Sequence, residues 1–321
     1  MNCQPLTIRA ILLAAAVTML ACASAALSIP ATPPATLSPD RLASIPASAM
    51  KVSPSSDEHP PVLHSGEFSD PVPLPGMVNT AGAEDSPFIT PDGTTLYFFF
   101  TPDLSIPAER QLLDGVTGIY MSTRANGAWG DPARIMLQNP GAVALDGCEF
   151  VLGEVMWFCS AREGLDGIHW FTADHVDGAW RNWRLADFDP EYRVGELHMS
   201  RDGTELYFGA DRPGGKGGMD IWVSTKADGA WQEPVNLEAV NTADGEGWPA
   251  LRPDGSELWF SRNYSIWRSL KIDGEWQPPE EIVSSLSGEP SIDDAGNLYF
   301  VHHFLRGDSI VEADIYVAYR R

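Results

Sequence analysis

Asp202-Gly203-Thr204-Glu205-Leu206-Tyr207-Phe208 runs through Ile221-Trp222 to Asp228-Gly229-Ala230-Trp231-Gln232-Glu233-Pro234. Three short patterns stand in it, and each returns five times in the same order. A Gly-x-aromatic pattern starts at Gly66, Gly127, Gly178, Gly229 and Gly274, at intervals of 61, 51, 51 and 45 residues. An apolar-aromatic triplet reads Leu96-Tyr97-Phe98, Met156-Trp157-Phe158, Leu206-Tyr207-Phe208, Leu258-Trp259-Phe260 and Leu298-Tyr299-Phe300. An Ile-aromatic pair reads Ile119-Tyr120, Ile168-His169, Ile221-Trp222, Ile266-Trp267 and Ile315-Tyr316. A fixed period of this length marks a repeat architecture, and we number its units repeat one to repeat five.

Asp-Gly and Asn-Gly pairs punctuate the repeats, at Asp92-Gly93, Asp254-Gly255, Asn126-Gly127 and Asp273-Gly274 among others. Alternating β-branched and aromatic residues flank them, which is hairpin chemistry. Four short strands per period predict an all-β fold, a five-bladed β-propeller over residues 63–321. The last unit has no Gly-x-Trp strand after Tyr319, while one such strand, Gly66–Leu74, precedes the first full unit. That N-terminal strand is expected to complete the last blade, closing the ring and removing its exposed edges.

Asp211–Trp222, Arg252–Phe260 and Val240-Asn241-Thr242 resemble the repeat signature of TolB-like, WD40-like propellers. The match is closest in repeats three and four and weakest in repeat two, where Leu152-Gly153 replaces Asp-Gly. The resemblance implies a bacterial cell-envelope propeller that scaffolds or binds, and it implies no catalytic set.

Residues 1–21 form a short apolar run behind Arg9, the pattern of a secretory signal and too short to span a bilayer. Two processing readings stand open. Met19-Leu20-Ala21-Cys22 resembles a lipobox and would lipidate Cys22, whereas Ala23-Ser24-Ala25 is an ordinary cleavage site. Export is expected either way, to the periplasm, to the outer membrane as a lipoprotein, or into the medium. Residues 22–62 are rich in Pro, Ala and Ser and read as a tether. The formal charge of −23 falls on residues 63–321, which carry 41 acids against 18 bases. That excludes nucleic acid, whose phosphates need Lys and Arg. An envelope protein or a glycan remains as partner.

In the propeller reading, residues just before each first strand ring the upper mouth of the channel. Those positions are acidic: Glu84 and Asp85, Asp146, Glu196, Glu246 and Glu289. Glu84 and Glu246 share the frame Val-Asn-Thr-Ala-x-x-Glu, and counting back from the turn glycines aligns Asp146 with Glu196. Such acids cap strand ends, or they bind a polar ligand or a hard cation such as calcium, which takes several carboxylate oxygens. Arg212, in a Gly-rich loop, and one of the adjacent His302 and His303 join the ligand-binding set on the same face. A non-catalytic binding propeller is therefore expected. The alternative is a glycoside hydrolase. Asp85, Asp146 and Glu196 follow the order of base, pKa tuner and acid in five-bladed arabinanase-type enzymes, which they resemble in architecture. Cys148 and Cys159 flank the repeat-two hairpin and are expected either to pair across it or to stay as buried thiols.

Overall fold

The computed structural model of the chain describes residues 41–186, 188 and 192–321. The signal segment and Cys22 lie outside the described residues. Among the described residues the fold is all-β, with one four-residue helix, Ala108–Gln111, in the long loop of repeat one. No helix there is long and apolar enough to cross a membrane.

Each sequence repeat folds as an antiparallel meander. Repeat one contains Ala83–Ile89, Thr95–Thr101, Gly118–Ala125 and Ala133–Arg134. Repeat two contains Ala144–Leu152, Val155–Arg162, Ile168–Val176 and Ala179–Leu185. Repeat three contains Val194–Met199, Glu205–Ala210, Asp220–Ala227 and Val235–Asn236. Repeat four contains Glu246–Leu251, Glu257–Arg262, Ser265–Ile272 and Glu280–Ser284, and Val62–Leu63 extends it. Repeat five contains Ser287–Ile292, Leu298–Arg306 and Ser309–Ala318, and its outer strand is Val72–Pro73 from the N-terminal side. Ser69 N donates to Tyr319 O at 2.8 Å and Leu74 N to Ile315 O at 2.8 Å, so the segment 66–74 lies along repeat five. A single parallel pair, Ala313 with Ala83, joins repeats five and one into one nine-stranded sheet.

The turns follow from the residues that form them. Asn126-Gly127, Asp228-Gly229 and Asp273-Gly274 place both residues at positive φ, as a type I′ hairpin requires. The triplets supply the core. Leu96, Phe98, Leu206, Phe208, Leu258, Phe260, Leu298 and Phe300 have no exposed surface. Alternation puts the outer two residues of each triplet on one sheet face.

The shared Val-Asn-Thr-Ala frame performs the same task twice. Asn241 takes both backbone groups of Ile221, accepting from its N–H at 2.9 Å and donating to its C=O at 2.8 Å. Asn79 does the same to Ile315, at 2.9 and 2.8 Å. The N-terminal segment thus docks on repeat five as repeat four docks on repeat three. Asn241→Ala leaves the Ile221 N–H unpaired, while the Ile221 C=O keeps the Leu237 N–H at 3.0 Å, and the expected loss is about 1–3 kcal/mol in a denaturant titration.

Within the stretch read as a tether, residues 41–62 carry side chains that pack on the sheets. Arg41 is buried against Phe98, Phe100 and Tyr120, Lys51 ion-pairs with Glu312 and Asp314, and Asp57 bonds His302.

Candidate functional site

Every repeat has a β-bulge in its first strand, where the ladder register shifts by one. Such an insertion re-aims side chains locally. Aligned by pairing with the second strand, Ser86, Cys148, Glu196, Trp248 and Glu289 are equivalent; each begins its bulge except Glu196, which is the second bulge residue after Gly195. Four of these residues are non-glycine at positive φ: Ser86, Cys148, Trp248 and Glu289, between 48° and 55°. The bulge residue and the two after it, from all five first strands, line one central cavity. It contains about 50 Å³ of water-accessible space, room for a few waters and not for a sugar ring.

The bulges sort the acids into two sets. In the outer set, two residues before the bulge, stand Glu84, Asp146 and Glu246. Each has a guanidinium. Arg41 reaches Glu84 at 2.5 Å, Arg162 reaches Asp146 at 3.2 Å and Arg262 reaches Glu246 at 2.6 Å. Hydroxyls complete the coordination. Thr80 and Thr242 donate to Glu84 and Glu246, and Ser160 to Asp146, all at 2.6 Å. Each guanidinium also bonds a loop carbonyl, of Val78, Leu137 or Val240, and lies 4.2 to 4.6 Å from an aromatic ring centroid. These acids tie strand ends to loops. Arg41 enters because repeat one has Phe100 where repeat four has Arg262, so the N-terminal segment supplies the missing cation. Burial still pushes the Glu84 carboxyl up, outweighing Arg41.

The inner set is Glu196, Glu289, Glu149 and Asp85. Glu196 and Glu289 occupy bulge positions, Glu149 follows the bulge residue of repeat two, and Asp85 stands one residue before that of repeat one. Repeats two to five have glycine at the Asp85 position, at 147, 195, 247 and 288. Burial, and then the charges of Asp85 and Glu196, raise Glu149 well above the carboxylate range. Burial, and then Asp85, push Glu196 up to about 7. Glu289 is raised well above its usual range by burial and by Asp85 and Glu196, although Ser86 Oγ donates to it at 2.6 Å. Both Glu149 oxygens are buried without a hydrogen bond. Trp248 Nε1 makes no hydrogen bond of good geometry, although it lies close enough to Glu196 to offset part of its rise. Burial lowers His198, which lines the cavity from the same strand as Glu196, to about 4, so it is neutral at pH 7.

The expected alignment of Asp146 with Glu196 is corrected here. Repeat two turns in two residues, Gly153-Glu154, whereas repeat three needs four, 201–204. Counting from the glycines therefore slips the register by two, and Asp146 falls in the outer set with Glu84 and Glu246. Glu149, which faces the cavity only because of the bulge, was missed for the same reason. Asp85, Asp146 and Glu196 are not brought together as one group.

The remaining ligand candidates are engaged inside the protein. Arg212 pairs with Glu233 at 2.7 Å and lies over Tyr192 and Trp222. His302 has no exposed surface and bonds Asp57 at 2.8 Å. His303 bonds the Leu286 carbonyl at 3.3 Å. Cys148 and Cys159 form a disulfide with Cα atoms 5.4 Å apart. They are not directly opposite, because Cys159 pairs with Gly147 and Cys148 is the bulge residue. The bridge thus anchors the bulge that presents Glu149. Among the described residues no group of three or more His, Cys, Asp or Glu is placed to hold a metal ion.

No family model matches the chain, and no curated protein does. Among solved structures it is similar to a Xanthomonas campestris gluconolactonase, with 14% identity, 85% of this chain and 98% of that one covered, and a TM-score of 0.48. It is similar to a putative TolB from Agrobacterium tumefaciens at 15% identity, covering 75% and 92%, with a TM-score of 0.37. A Bacteroides ovatus protein described as xyloglucan PUL GH43B matches at 13% identity, covering 77% and 53%, with a TM-score of 0.45. At these identities and scores, none of the three assigns a family or an activity.

Proposed function

We propose that residues 63–321 form a five-bladed β-propeller closed by the segment 66–74, and that it is a non-catalytic binding module with its site at the central cavity. Closure is supported by the neighbours of the first strands. Ala83–Ile89 and Ala144–Leu152 are adjacent, and each first strand adjoins the next through Ser287–Ile292, which returns to Ala83–Ile89. Non-catalytic binding is supported above all by Asp146, which Ser160 and Arg162 hold in the outer set, away from the inner acids. In the hydrolase reading Asp146 tunes the acid Glu196, and a side chain that Ser160 and Arg162 hold apart from the inner set is not placed to do so.

One observation favours the hydrolase reading: Glu196, at about 7, is poised as a general acid would be. A panel of aryl glycosides separates the two. The binding module gives no turnover, and turnover lost in Glu196→Gln would establish the enzyme. Export is part of the proposal, and the Cys148–Cys159 disulfide suits an oxidising compartment. Mass spectrometry of the mature N-terminus distinguishes lipidated Cys22 from a plain terminus after Ala25.

A further inference from the structure

Each outer carboxylate has a guanidinium, and the inner ones have none. Glu149, Glu196 and Glu289 line the cavity, Asp85 precedes the lining residue Ser86 and lies close enough to raise all three, and no Lys or Arg lines it. Glu149 is only 6% exposed, yet neither of its oxygens has a donor. A buried carboxylate without a donor is costly, so a partner that supplies one is favoured. The shape and chemistry of the cavity restrict that partner. The space is small, which excludes a sugar or a peptide segment. An acidic wall without Lys or Arg offers an anion no cation to pair with. No set of three ligands is arranged for a metal ion among the described residues. Phe88, Phe150 and Trp248 also line the cavity, and aromatic faces attract organic cations. A compact cation carrying several N–H donors on an apolar stem meets all of these conditions.

Resting on the binding-module reading, we propose that the central cavity binds the head group of a protonated primary amine, with its N–H groups donated to Glu149, Glu196 and Glu289. The ammonium takes the place that guanidinium groups take at Glu84, Asp146 and Glu246. The titratable groups lining the cavity are Glu149, Glu196 and Glu289 with neutral His198, and Asp85 precedes the lining residue Ser86. The amine competes with protons for these carboxylates, so binding releases protons and strengthens from pH 6 to pH 8.

The probe is methylammonium chloride, titrated against the full chain at constant ionic strength with NaCl as the balance. A saturable rise in melting temperature is expected, larger at pH 8 than at pH 6. Tetramethylammonium, which has no N–H donor, should give none. Glu149→Gln and Glu196→Gln should each fold and bind methylammonium at least tenfold more weakly. An effect no larger than that of NaCl would overturn the proposal, as would an unchanged rise in both variants. A rise with Ca²⁺ and none with methylammonium would overturn it too, in favour of a divalent cation. Glycoside turnover overturns the binding-module reading whatever the amine does. Failure of the amine without turnover removes only the ligand assignment.

Discussion

Arg41→Ala is expected to lower the unfolding free energy by about 3–5 kcal/mol at pH 7, a large share of a typical domain's total. Arg41 lies on the N-terminal side of every repeat, yet among the described residues its guanidinium is the only one on Glu84, which has no exposed surface. Removing it leaves a buried carboxylate with only the Thr80 hydroxyl and N–H, at 2.6 and 2.8 Å. It also empties the space against Phe98, Phe100 and Tyr120. Arg41→Ala with Glu84→Gln should recover part of the loss, because the unpaired charge goes while the vacated space stays. Urea titrations of the parent, both single variants and the double variant measure the coupling. Additive effects would show that Arg41 acts through its rings alone.

Stability is expected to fall as pH rises from 5 to 9, and Glu196→Gln should flatten that fall by at most about 3 kcal/mol. The folded protein holds Glu196 up to about 7, above the ordinary carboxyl value of 4.5. A group raised in this way contributes stability fully below its unfolded pKa, and that contribution is lost as pH climbs through the folded value. Glu149 and Glu289, raised in the same direction, add to the fall. Asp314, pushed up to about 8 by burial despite Lys51, adds to the slope and is untouched by the substitution. The opposite sign holds for Glu67, Asp92, Asp202 and Asp254, whose lowered pKa values add stability that is lost only below the ordinary carboxyl range. The difference between parent and Glu196→Gln across pH isolates the cavity. Parallel curves would mean that Glu196 is freely solvated.

The meanders were legible because turn chemistry and hydrophobic alternation are local. Asn126-Gly127 and Leu206-Tyr207-Phe208 specify a turn and a buried strand without reference to the rest of the chain. The docking of 66–74 on repeat five was legible from the displaced Gly-x-aromatic pattern. The carboxylate layers were not. A bulge adds one residue without leaving a composition signal, and two turn lengths share one glycine, so Asp146 and Glu196 looked equivalent. Arg41 was hidden for another reason. Its partner Glu84 lies 43 residues away, and the surrounding Pro, Ala and Ser read as linker. What marks its role is a gap: Phe100 stands in repeat one where repeat four has Arg262.

The central claim is that the inner carboxylates are desolvated and have no cationic partner, while the outer ones are held by guanidinium groups. Side-chain carboxyl ¹³C shifts of Glu-labelled protein, followed across pH, test it most directly. We expect at least one Glu resonance to titrate with an apparent midpoint near 7, and that resonance to be absent in Glu196→Gln. If instead every Glu titrates within the ordinary range around 4 to 5, the cavity acids are solvated or paired, and the account of the central site is wrong.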